Sequence, residues 1–246
     1  MFALPQDESI LLSVAAICWA TLAFIIYTLL QTRIRKFFLI KLKKSKVNAD
    51  NTLSVLLQRI TGVFLYGFVP VVLIIFVFKN PASSYGFEMK NSLVTGITVL
   101  VLLFVVVPIS LFTSRSTGNL VFYPQMREKE WNLSLVILSA VSWIAYLLAY
   151  EFMYRGFLLF SCYHAFGTWP AIIINTSLYS LTHLVKNKRE GVGAFFIGII
   201  LCLLVLHIGS LWVAFYVHVI MALSNEWFSI RAHPEMNFNF KNRKCQ

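Results

Sequence analysis

LSLVILSAVSWIAYLLAYEFMYRGFLLF, from Leu133 to Phe160, decides how this chain is read. Twenty-eight residues pass with only two charges, Glu151 and Arg155. A helix rising about 1.5 Å per residue needs roughly 20 apolar residues to cross a bilayer, so this stretch is long enough to span one and extend beyond it. Six further apolar runs accompany it, near Ser9–Leu30, Thr61–Phe78, Leu93–Phe112, Trp169–His183, Val192–His207 and Ser210–Phe228. Of the 246 residues, 59% are hydrophobic and 13% charged. A soluble domain is nearer half apolar and about a quarter charged. The expected fold is therefore an all-α, polytopic transmembrane bundle of about seven spans.

Charge placement orients that bundle. With the N-terminus outside, 18 of the 21 Lys and Arg residues fall in inner segments, at Gln31–Arg59, Thr113–Trp131, Leu184–Gly191 and the tail from Arg231. Only Lys79 and Lys90 fall outside, and Arg155 lies within a span. The positive-inside rule thus predicts an outer N-terminus and a cytoplasmic C-terminus. The net charge of +11 follows from these flanks. It suits an anionic leaflet, the preferred reading of the Lys41–Lys46 cluster, and not nucleic acid, for which no basic helix or aromatic groove exists. Ser9–Leu30 is too long for a signal-peptide core and reads as a retained first span. Cys18, Cys162 and Cys202 lie in apolar runs and read as small core residues, with Cys245 near the end of the tail. Asn80–Lys90 reads as a plain exterior loop, and Met126–Trp131 as an interfacial segment. The expected parts are N-terminal helices with a basic segment (1–131), a helical core (132–230) and a basic tail (231–246).

Ionisable groups at bilayer depth are costly and normally face the bundle interior with a partner. Glu151 and Arg155 are four apart, on one helix face. They read equally as a self-neutralising pair or as a carboxylate held by its own arginine. His183 closes the fifth run and His218 lies within the seventh. Two histidines and a glutamate on three helices are ligand types that suit zinc, although no HExxH run exists. His164, His207 and His233 lie at span ends or loops and are assigned no chemistry.

In order and spacing, these segments resemble the CAAX-protease and bacteriocin-processing family of intramembrane endopeptidases, over roughly Leu133–Asn225. Tyr150-Glu151 followed by Arg155-Gly156 is similar to the family's Glu-Glu-x-x-x-Arg helix, and Tyr179-x-x-x-His183 to its Phe-x-x-x-His. Gly209-Ser210-Leu211-Trp212 leads into His218 as in the third motif, and Phe195-x-x-Gly198 also fits. The resemblance implies a metalloendopeptidase of the bacterial cytoplasmic membrane that cuts a hydrophobic or lipidated peptide. Glu151, Arg155, His183 and His218 would be its catalytic residues. His183, His218 and Glu151 would hold zinc, and Tyr150, Tyr179 and Asn225 would assist. Two departures stand against activity. Tyr150 occupies the place of the water-activating glutamate, and Ala222 that of an oxyanion-stabilising asparagine, with Asn225 near the same helix face. The endopeptidase reading is kept narrowly ahead of a catalytically inactive scaffold, peptide-binding or immunity-type protein. A transporter using Glu151 is third, since no repeat or broken-helix pair supports it.

Overall fold

The computed structural model describes residues 6–42, 49–185 and 188–240. Its described elements are almost all helical, as a lipid environment demands of a chain that must satisfy its own backbone. The helices are α1 (Gln6–Leu42), α2 (Ala49–Gly62), α3 (Val69–Val72), α4 (Ser92–Thr113), α5 (Thr117–Leu120), α6 (Leu133–Glu151), α7 (Leu159–Phe166), α8 (Thr168–Leu184), α9 (Lys188–Ile208) and α10 (Trp212–Ala232). π-Helical turns at Val63–Phe68 and Leu73–Val77 flank α3, and another at Phe152–Leu158 joins α6 to α7. Pro70, which has no N–H to donate, lies in α3 between the first two. Two short strands, β1 (Glu130–Trp131) and β2 (Asn237–Phe238), pair in parallel.

Among the described residues, six helical stretches are long and apolar enough to cross a membrane: Asp7–Phe38, Asn51–Val77, Ser92–Thr113, Leu133–Phe166, Glu190–Ile208 and Trp212–Ala232. The remaining expected span, Trp169–His183, is formed as α8, but its 17 residues are shorter and more polar. Large apolar side chains cover the outsides of these helices, among them Leu93, Phe104 and Phe112, each more than 70% exposed. Exposure on this scale fits lipid as the surrounding solvent. Cys18 belongs to that exposed set, unlike buried Cys162 and Cys202, so its reading as a core residue is corrected. Cys245 lies outside the described residues.

The chain forms two compact units, each drawn from separated stretches. The first comprises residues 1–29, 62–99 and 148–216, and the second 30–61, 100–147 and 217–246. In the first unit α8 packs against α9, where Gly198 lets α9 approach: a Cβ there would lie 3.1 Å from Thr176 and 3.3 Å from Tyr179. Residues 80–90 are no plain loop. Asn80 donates to the Tyr85 hydroxyl, Leu211 N–H to the Gly86 carbonyl, and the Trp212 indole to the Phe87 carbonyl at 2.8 Å. Gly86, at φ 74°, makes the turn that lets this strap lie flat.

In the second unit Trp131 and Met126 are fully buried with Val55 and Ile230. Of the segment Met126–Trp131, read from sequence as interfacial, the two end side chains join this cluster, while Lys129 and Glu130 are exposed. Asn132 starts α6 by accepting the Leu135 N–H at 2.9 Å.

Candidate active site

The first unit carries the motif residues, from residue 148 onward. α6 ends at Glu151, and the next turn, Phe152–Leu158, is π-helical. A π turn is wider than an α turn and often marks a functional site. Glu151 and Arg155 are both fully buried. Nη1 of Arg155 lies 3.4 Å from one carboxylate oxygen and 3.5 Å from the other. The guanidinium also stacks over the Tyr179 ring at 3.8 Å, an arrangement that shields a buried cation. This pair matches the spacing read from sequence.

Asn175 holds the π turn from the side. It is fully buried, its Nδ2 donates to the Tyr154 carbonyl, and its Oδ1 accepts from the Cys202 thiol at 3.2 Å. Gly156 gives this turn room, since a Cβ there would meet the Phe152 ring at 2.7 Å and the Tyr85 carbonyl at 3.2 Å. Sequence reasoning passed over Asn175. The signal was present, because Asn175, Tyr179 and His183 recur every four residues on one face of α8.

Tyr150 lies in a shell of aromatic rings. Its centroid is 4.7 Å from Tyr154, 5.7 Å from Tyr66, 5.9 Å from Tyr179 and 6.2 Å from His183. Its hydroxyl is 2.6 Å from Thr182 Oγ1. Thr182 donates its own proton to the Tyr179 carbonyl at 2.7 Å, which makes Tyr150 the donor to Thr182. His183 Nδ1 lies 3.1 Å from Thr182 Oγ1 and 3.1 Å from the Tyr179 carbonyl. The structure therefore brings together Tyr150, Glu151, Arg155, Tyr179 and His183. His218, 8% exposed, and Asn225 lie on the stretch of α10 that belongs to the second unit. The Asn225 Oδ1 is buried and has no hydrogen-bond partner among the described residues.

Within the first unit, the expected zinc ligands Glu151 and His183 are both engaged with other groups. No three His, Cys, Asp or Glu side chains converge as metal ligands among the described residues. Glu151 is paired with Arg155, and His183 Nδ1 is at hydrogen-bond distance from two oxygens. The first unit itself contributes an ion pair, a phenol and an imidazole to this site.

The second unit holds a buried charge pair that the sequence reading did not single out. Arg59 is 3% exposed and Glu226 is fully buried, with Nη2 and Oε1 3.9 Å apart. Arg59 donates to the Ser139 carbonyl at 2.9 Å, to Ser142 Oγ at 2.6 Å and to Gln125 Oε1 at 3.1 Å, and lies 4.3 Å over the Trp143 ring. The Gln125 N–H donates to Glu226 at 3.3 Å. Buried charges are thus not confined to the second half of the chain. Arg59 resembles any other flanking basic residue until its partners are known.

Compared with known proteins, residues 131–224 match the family model described as type II CAAX prenyl endopeptidase Rce1-like. The match takes in Tyr150, Glu151, Arg155, His183 and His218, and stops short of Asn225. No curated protein and no solved structure matches the chain.

Proposed function

We propose, taking residues 131–224 as an Rce1-like core, that this membrane protein binds a hydrophobic or lipidated peptide segment without hydrolysing it. The observation that carries this reading is the state of Tyr150. It stands at the place of the motif's water-activating glutamate, and it is 4% exposed with its hydroxyl fixed on Thr182 at 2.6 Å. Hydrolysis needs a base that takes a proton from water, and a phenol with an ordinary pKa near 10 keeps its own proton at neutral pH. Glu151 is one residue further on, about 100° around an α-helix, and it faces Arg155. Ala222, four residues after His218, offers no side-chain donor for an oxyanion.

A second reading, an endopeptidase acting with a rearranged base, is favoured by the retention of Glu151, Arg155 and His183. Charges at membrane depth are costly to keep, and a site out of use has no need of them. Both readings make lipid the surrounding medium and a membrane-associated peptide the partner.

The experiment uses detergent-purified chain and a fluorogenic farnesylated CAAX peptide. The parent is expected to bind the probe, measured by anisotropy, and to leave it uncut. Tyr150→Glu is expected to raise cleavage by about 10²-fold or more, the usual contribution of a positioned base. Cleavage by the parent that Glu151→Gln or His183→Ala abolishes would overturn the non-hydrolytic reading in favour of the second.

A further inference from the structure

A cavity of about 360 Å³ opens between the strap and the ends of α7 and α9, all within the first unit. The strap lines it with Ser84, Glu88 and Lys90, α7 with Tyr163 and His164, and α9 with Leu206. None of these side chains takes part in the Tyr150 cluster. The volume falls in the usual range of small-ligand sites, roughly 300–1,000 Å³. Its walls are fastened. The strap is held at Gly86 and Phe87 by the Leu211 N–H and the Trp212 indole, and a Cβ at Gly86 would lie 2.7 Å from the Phe160 ring. The stem of Lys90 passes Gly209, where a Cβ would lie 3.7 Å from its Cδ.

The charges at this cavity come as one of each sign. Lys90 Nζ and a Glu88 carboxylate oxygen are 3.6 Å apart, and both side chains are more than half exposed. So exposed an ion pair is held weakly, which leaves both groups available to a ligand. A ligand of single charge would bring a like charge against one member of the pair, at a cost in affinity. A zwitterion laid antiparallel beside the pair gives each charge an opposite partner. Ser83, Ser84 and His164 add hydrogen-bonding groups to the same lining.

Depth decides what kind of zwitterion this is. His164 is two residues from the end of α7, and Gly209 directly follows α9. Trp169, 66% exposed, opens α8 at the same end of the bundle, and tryptophan at a span end marks the headgroup layer. Leu206 lies nearly one turn further into α9, toward the hydrocarbon.

We propose that the cavity binds the headgroup of a phospholipid that carries both a phosphate and a primary ammonium. The phosphate would rest on Lys90 and the serine hydroxyls, the ammonium on Glu88, and the glycerol and first methylenes beside Leu206. The proposal stands whether or not the Tyr150 site cuts peptide bonds.

The test uses the full-length chain purified in detergent, with native mass spectrometry to count bound dioleoyl lipids that differ only in headgroup. The parent should bind phosphatidylethanolamine at least about threefold more tightly than phosphatidylglycerol, the scale of one half-exposed charge contact. Phosphatidylcholine, whose ammonium has no N–H to donate to Glu88, should also bind more weakly. Glu88→Gln should erase the preference over phosphatidylglycerol. Lys90→Met, which keeps an unbranched stem beside Gly209, should weaken binding of both lipids. Both positions are exposed, so both variants should melt with the parent. Equal binding of the three lipids by the parent overturns the proposal, as does a preference that survives Glu88→Gln or an affinity untouched by Lys90→Met. Soluble O-phosphoethanolamine that binds as tightly as the lipid would overturn the assignment to a membrane lipid.

Discussion

At Tyr150 a single hydroxyl contact, 2.6 Å to Thr182, fixes a phenol that four aromatic rings already confine. Tyr150→Phe keeps the rings and removes that bond, so it should lower stability by about 1 kcal/mol. The neighbouring pair is a harsher case. Glu151→Gln leaves the Arg155 guanidinium buried without its counter-charge, and should lower stability by roughly 3–5 kcal/mol. The double variant Glu151→Leu/Arg155→Met removes both charges, and should be markedly more stable than Glu151→Gln alone. Unfolding followed by SDS titration in mixed micelles measures all three; equal stability of the single and double variants would mean that the pair contributes no buried-charge penalty. This pair could be read from sequence because helical periodicity alone sets the distance between residues four apart. Arg59 and Glu226 could not, since they lie on α2 and α10 and only tertiary packing decides that they meet. That Tyr150 stands where the resembled motif has a glutamate was equally plain in sequence. How Tyr150 fills its place was not, because Tyr66 and Thr182 come from other helices.

On the scale of elements, the motif helix is where a regular α-helical reading departs from the structure. The sequence predicts one unbroken run from Leu133 to Phe160, whereas the helix widens into a π turn at Phe152–Leu158. Periodicity cannot signal this, because a single wide turn leaves the apolar pattern on either side intact. Its supports come from elsewhere, from Asn175 on α8 and from the strap, whose Tyr85 carbonyl would lie 3.2 Å from a Cβ at residue 156. The strap itself reads as a loop from its Pro, Ser and Gly content, and only its bonds to Leu211 and Trp212 reveal that it is fastened. Gly156→Ala should therefore be costly despite alanine's better helix propensity, since the added methyl meets the Phe152 ring at 2.7 Å. Overpacking of this kind costs about 1–3 kcal/mol. Gly96→Ala on α4, where a Cβ meets nothing within 4 Å, is the matched control and should be neutral or slightly stabilising. Equal effects of the two substitutions on the unfolding midpoint would remove the argument that the strap needs a glycine beneath it.

For the whole molecule, composition alone gives a helical membrane protein, and the charge flanks give its expected orientation. What they leave open is whether α8 crosses. Its 17 residues reach only about 26 Å, short of the roughly 30 Å hydrocarbon core. It nonetheless buries Ala171, Ile172, Asn175, Thr176 and Tyr179, so the protein can satisfy what lipid cannot. The number of crossings can be counted by parity. Ser83 precedes α4, and Cys245 follows α10. Between them lie four of the six long apolar helical stretches, or five crossings if α8 is added. A cysteine placed at Ser83 and the native Cys245 should therefore face opposite sides if α8 spans, and the same side if it does not. Arg115→Cys, just beyond α4, should face opposite to Ser83 in either case and serves as the reference. In right-side-out vesicles a membrane-impermeant maleimide should label Ser83→Cys directly, and should reach Arg115→Cys and Cys245 only after permeabilisation. Direct labelling of Cys245 together with Ser83→Cys would mean that α8 enters and leaves by the same face.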